Sequence, residues 1–210
     1  MIPIFGSLLF ICLYIVAAFL YPGGSETNKT AIGYSLTNNY WCNLLYKKGI
    51  NGEHNTGQPF AAAGMFVMCL ALSSFWLVFP IQMALKKYHR LLIQIPGVAA
   101  MACSFLLLSD LDHDLVVNTS SSLGFIAITG TIVAVYKVKW YKLFVFGLFN
   151  IMLVALNNYL YHSKQMMYLP VVQKITFLSF LVWVCLITFN LYYNIADRRN
   201  RKCWRQTPIA

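Results

Sequence analysis

Charge is what this chain has least of. Only 10% of its 210 residues are Asp, Glu, Lys or Arg, whereas soluble domains carry about 25%. With 59% of residues hydrophobic and a mean hydropathy of +0.62, too few polar side chains remain to cover a water-facing globule. Acidic residues are scarcer still, 6 against 16 Lys and Arg. No loop holds a pair of cysteines: Cys12, Cys69, Cys103 and Cys185 fall inside apolar runs, Cys42 stands alone in a loop and Cys203 in a basic tail. A disulfide framework is therefore excluded. The chain also lacks a P-loop, a dinucleotide fingerprint, HExxH, a paired-cysteine zinc signature, a GxSxG elbow and any repeat of about 20–50 residues. No charge sits at the centre of an apolar run, and Lys174 lies within about a turn of the end of one. That removes a proton-driven pump and a mid-membrane Schiff base.

What is present is six apolar stretches, at 2–21, 60–85, 91–110, 114–136, 140–162 and 171–193. About 20 apolar residues cross the hydrocarbon core of a bilayer. The expected fold is an all-α membrane protein, one six-transmembrane-helix bundle over 1–210. The first stretch has no basic start and no small-x-small cleavage site, so it reads as a retained span rather than a signal peptide. Basic residues cluster at Lys86, Lys87 and Arg90, at Lys137, Lys139 and Lys142, and in the tail 194–210 at Arg198, Arg199, Arg201, Lys202 and Arg205. The positive-inside rule places these clusters, and hence both termini, in the cytoplasm. The loop 22–59, the turn 111–113 and the loop 163–170 then face outward. Localisation in a plasma or inner membrane follows. Because the net charge of +10 sits beside the spans, it points to anionic lipid and not to nucleic acid. Membrane lipids are the expected partners, and the layout is compatible with a homo-oligomer.

The loop 22–59 opens with Tyr21-Pro22-Gly23-Gly24-Ser25, a turn signal. In its middle, Trp41, Leu44, Leu45 and Lys48 recur at helical spacing. The spacing predicts a short amphipathic helix over 39–48, lying in the headgroup region. Trp41, Leu44 and Leu45 then either form a lid over a site or anchor the loop at the interface, and anchoring is the favoured reading.

The densest ionisable cluster is Ser109-Asp110-Leu111-Asp112-His113-Asp114, between the third and fourth stretches. Asp114, Asn118, Ser121, Ser122 and Phe125 then follow on one helical face. A polar stripe facing lipid is costly, so this one is expected to face the bundle interior. The fifth stretch answers with Asn150, Asn157 and Tyr161 in line, and with Asn158 one turn below His162. An outward cleft lined by Asp110, Asp112, His113, Asp114, Asn118, Asn157, Asn158, Tyr161 and His162 is geometrically allowed. Two readings stay open. Acids at the first turn of a helix cap its N–H groups and complement its dipole, and membrane Asn residues can merely join helices. Alternatively Asp110, His113, Asp114 and His162 act as acid–base groups or as ligands of a catalytic zinc, with His54 as an outlying candidate.

An Asp closing the third stretch, His113-Asp114 opening the fourth and the run Ser120-Ser121-Ser122-Leu123-Gly124 resemble the Frag1/DRAM/Sfk1 group and its bacterial relatives. The likeness extends to the six spans and to the Tyr-Pro-Gly-Gly start of the long first loop. It implies a six-helix membrane protein linked to lipid or membrane homeostasis. Ser109, Asp110 and His113 are also similar to part of the zinc site of alkaline-ceramidase-like membrane hydrolases. The paired His four residues apart and the seventh span of those proteins are missing here. The function expected is binding, and as an enzyme hydrolysis or acyl transfer, of a lipid or other amphiphile in the outer cleft. The rival is a non-catalytic scaffold or oligomeric channel whose polar residues only cap and glue helices.

Overall fold

The computed structural model describes the backbone of residues 1–109, 111–165 and 167–204, with side chains as far as Asn194. Among the described residues the regular structure is entirely helical, apart from isolated bridges joining Gly23 to Ile32 and Lys48 to His54. Six long helices follow in order: α1 Ile2–Phe19, α2 Gln58–Gln82, α3 Lys87–Phe105, α4 His113–Lys137, α5 Tyr141–His162 and α6 Leu169–Trp204. All six have a stretch long and apolar enough to cross a bilayer, which fits a multi-pass integral membrane protein.

Two boundaries differ from those read in the sequence. The α3 helix begins at Lys87, so part of the first basic cluster forms its opening turn, and it tightens into a 3-10 turn at Leu106–Leu108. The α6 helix runs on to Trp204, because no Gly or Pro interrupts 171–204. The basic segment from 194 therefore continues a helix instead of starting a separate tail.

Consecutive helices pack side by side, and α1 also touches α6, which closes the bundle. In a lipid phase helices gain little by hiding apolar surface from one another, so close packing at small residues sets the contacts. A Cβ on Gly6 would lie 2.4 Å from the Ala71 Cβ, one on Gly97 2.3 Å from the Trp76 ring, and one on Gly130 2.7 Å from Ile93. These contacts lock α1 to α2, α2 to α3 and α3 to α4. The centre is filled by Phe75, Trp76, Phe79, Trp183, Val184 and Ile187, all essentially buried.

The connection 20–57 is folded back on the bundle. Gly24 adopts φ +81° and its N–H donates to Ala31 O at 2.7 Å, while Tyr21 Oη accepts Ile50 N–H at 3.0 Å. Asn39 is completely buried: its Nδ2 donates to Gly24 O at 2.8 Å and its Oδ1 accepts Ser35 N–H at 2.9 Å. The helix expected over 39–48 is only a 3-10 turn, Trp41–Leu45, which stops because Tyr46 turns extended. Leu44 and Leu45 are buried, and the Trp41 ring packs edge-on to Phe10, Tyr14 and Phe177 at 5.7, 5.6 and 5.3 Å. This turn packs into the bundle through its aromatic and leucine side chains.

Candidate functional site

Near the turn 138–140, α4 and α5 are in close contact, since a Cβ on Gly147 would lie 2.8 Å from Ile132 and 2.9 Å from Trp183. At their other end they meet again where Tyr161 Oη donates to Asp114 Oδ2 at 3.0 Å. Between these two points the helices border a half-open cavity of about 640 Å³. The α4 residues Asp114, Asn118, Ser121 and Phe125 line it but remain exposed, so their stripe faces this opening and not the closed interior of the bundle. The cavity's α4 wall is Val117, Asn118, Ser121, Gly124, Phe125 and Ile128, and its α5 wall is Asn150, Ile151, Val154, Asn157, Asn158 and Tyr161. Both sets follow the same spacing of one helical face, three to four residues per turn. The α6 helix closes the back with Gln173, Thr176, Phe177 and Phe180, and Glu26, Tyr40 and Cys42 from the 20–57 connection cover the mouth.

Polar groups run the full depth of this cavity. Asn157 Nδ2 donates to Thr176 Oγ1 and to Leu153 O, and Asn158 Nδ2 donates to Val154 O at 3.0 Å. Asn150 lies eleven residues below Tyr161 (161 − 150), which at about 1.5 Å per residue is a depth of roughly 16 Å. Its Nδ2 donates to Phe146 O at 2.9 Å, but its Oδ1 is buried without a partner in a residue only 2% exposed. A lone acceptor of this kind costs about 1–3 kcal/mol unless something donates to it.

The mouth is acidic and aromatic. His113 Nδ1 stands 3.6 Å from Asp114 Oδ1, an ion pair whenever the imidazole is protonated, and the His113 ring lies 6.4 Å from that of Tyr46. Burial, followed by the Cys42, Glu26 and Asp114 charges, pushes the Tyr46 phenol up, so both carboxylates act on the same ring. Burial first and then Glu26 push Tyr40 up to about 12. Burial likewise pushes the Cys42 thiol up to about 11.

Of the residues singled out in the sequence, His113, Asp114, Asn118, Asn157, Asn158 and Tyr161 line this one cavity. His162 does not line it; it is exposed at the end of α5 with its ring 5.5 Å from that of Tyr161. Asp112 is the N-cap of α4, its Oδ1 accepting Leu115 N–H at 2.8 Å, and lies outside the lining. Asp110 lies outside the described residues. Among the described residues no three His, Cys, Asp or Glu side chains gather as a metal site would require. Trp41, Leu44 and Leu45 pack behind the mouth, while their neighbours Tyr40 and Cys42 face it. The α6 wall went unnoticed in the sequence, although Gln173, Thr176, Phe177 and Phe180 share a helical spacing that could have marked it. Glu26 carried no local signal at all.

Comparison with protein-family models, with characterised proteins and with solved structures finds no match for this chain.

Two consequences can be measured. Burial pushes the Cys42 thiol up to about 11 from its ordinary 9.0, so at pH 8 it should hold on the order of a hundredfold less thiolate than a free cysteine. In a variant keeping only Cys42, alkylation by iodoacetamide should be slower by about that factor and accelerate towards pH 11. Because the unfolded thiol ionises more readily, folded stability should also be lost as pH climbs from 9 towards 11. A free-cysteine rate at pH 8 would contradict this. Secondly, Asn150→Leu removes the lone buried acceptor and should stabilise the ligand-free protein by about 1 kcal/mol. A lower melting midpoint in detergent would mean that the amide is satisfied after all.

Proposed function

We propose that this chain is an integral membrane protein that binds a lipid or other amphiphile in the cavity between α4, α5 and α6. The single observation carrying the reading is the combination of volume and lining: about 640 Å³, mostly apolar walls, and a ladder of amides that ends in an unpaired acceptor. Ligand sites are cavities of about 300–1,000 Å³ with a few placed polar groups, and this one fits that description. Helices selected only for mutual packing would close such a gap, because voids forfeit dispersion contacts. The mouth set of His113, Asp114 and Tyr161 can hold and pass a proton, so acid–base chemistry on a bound head group is within its reach.

The orientation that belongs to this reading puts both termini in the cytoplasm and the cavity mouth outside. The basic residues beside the 83–86 and 138–140 connections support it. The membrane in question is then a plasma or inner membrane, with lipid as the immediate partner.

A bulky group placed in the cavity should empty it. Ser121→Trp is expected to fold normally and to lose an amphiphile that co-purifies with the unaltered protein, read by native mass spectrometry from a non-ionic detergent. The same lipid complement in both would leave the amides as helix glue and would defeat the binding reading. For orientation, Glu53→Cys and Lys139→Cys in a cysteine-free background should react with a membrane-impermeant maleimide from outside and from the cytoplasm respectively. The opposite pattern would invert the topology.

A further inference from the structure

The charge at the cavity mouth contradicts the charge of the whole chain. The protein has 16 Lys and Arg against 6 Asp and Glu, yet among the described residues the lining holds Glu26 and Asp114 and no Lys or Arg. Lys174, in the helix that forms the back wall, is engaged elsewhere: its Nζ donates to Asn39 O and Pro170 O and stands 5.6 Å over the Tyr34 ring. Among the described residues Glu26 has no ion-pair partner, and Asp114 has only its neighbour His113. The phenol rings of Tyr40 and Tyr161 border the same mouth. Carboxylates beside aromatic rings are the chemistry that selects an organic cation, through charge attraction and through ring faces that a cation can approach. An anionic head would meet two carboxylates with only the His113 imidazole, already beside Asp114, to offset them.

We propose that the ligand is a single-chain amphiphile with an ammonium head group, its cation held at the Glu26 and Asp114 end of the cavity and its chain running down between the apolar walls of α4, α5 and α6. This rests on the binding reading above and narrows it to a ligand class. One chain fits better than two because the volume is that of a small-molecule site, not of a bilayer lipid's paired tails. The shape of the walls agrees, since the apolar surface of Val117, Phe125, Ile128 and Val154 lies along the depth and the charge only at the mouth.

The test uses three photoreactive long-chain alkyl probes differing only in head group, trimethylammonium, sulfate and neutral glycol, added to the full-length protein in maltoside micelles. Saturable labelling of cavity residues by the ammonium probe is expected, about tenfold tighter than by the other two. That margin is the scale of one or two charge-assisted contacts. Glu26→Gln should weaken only the ammonium probe, and adding Asp114→Asn should bring it to the level of the neutral one. Glu26 lies in the connection, so this single variant remains informative if the Asp114 variant folds poorly. A two-chain trimethylammonium lipid in excess should compete weakly, and equal competition would overturn the single-chain assignment. If the glycol probe labels the cavity as well as the ammonium probe, or the sulfate labels it better, the ammonium proposal is overturned while the cavity reading survives. If no probe labels the unaltered protein above Ser121→Trp, both fall together.

Discussion

The bond on which the functional end of this molecule depends is the one from the Lys174 ammonium to the Asn39 carbonyl. Lys174 lies one turn into α6 and is 92% removed from solvent in a region where an uncompensated charge costs several kcal/mol. Its compensation comes from two backbone carbonyls, Asn39 and Pro170, and from the face of Tyr34. Two of these three partners belong to the 20–57 connection. That connection is therefore held against α6, and the buried Asn39 side chain carries the constraint onward to Gly24 and Ser35. Tyr40 and Cys42 follow Asn39 directly in the chain, so the same clamp sets them over the cavity.

A second constraint makes the space that the clamp covers. Four of the interhelical contacts are set by glycines, and a Cβ at any of them would overlap its neighbour. Close approach at Gly147 fixes α4 and α5 at one end, while the reach of a tyrosine side chain to Asp114 sets their separation at the other. A tyrosine is much longer than a glycine contact, so the helices diverge, and their facing polar stripes line the gap instead of meeting. Asn157 is the exception that bridges inward to Thr176 on α6, which anchors the back wall. Stability is given up at the deep end of this gap, where the unpaired Asn150 acceptor weakens the protein.

Much of this was legible in the chain by itself. The length and apolarity of six runs specify six helices, because a bilayer tolerates little else that spans it. The helical spacing of Asp114, Asn118, Ser121 and Phe125, and of Asn150, Asn157 and Tyr161, also marks two faces that are costly to leave against lipid. Helical period is a local property, so a helix and its polar face are written in consecutive residues.

What only the tertiary structure decided is which of those faces share a cavity and what covers it. His162 and Asp112 have the same chemistry and nearly the same depth as His113 and Asp114, yet one faces away from the cavity and the other caps α4. A rotation of one residue on a helix, about 100°, separates the two fates, and spacing near a helix end does not resolve it. Glu26 reaches the mouth only because glycines with positive φ and the Asn39 hydrogen bonds fold the connection back. Those contacts join residues far apart in the chain. The sequence alone determined that this protein carries six membrane-length helices with polar stripes on α4 and α5; where those stripes face and the charge of the cavity mouth were decided by long-range packing, because no local pattern encodes where a loop returns.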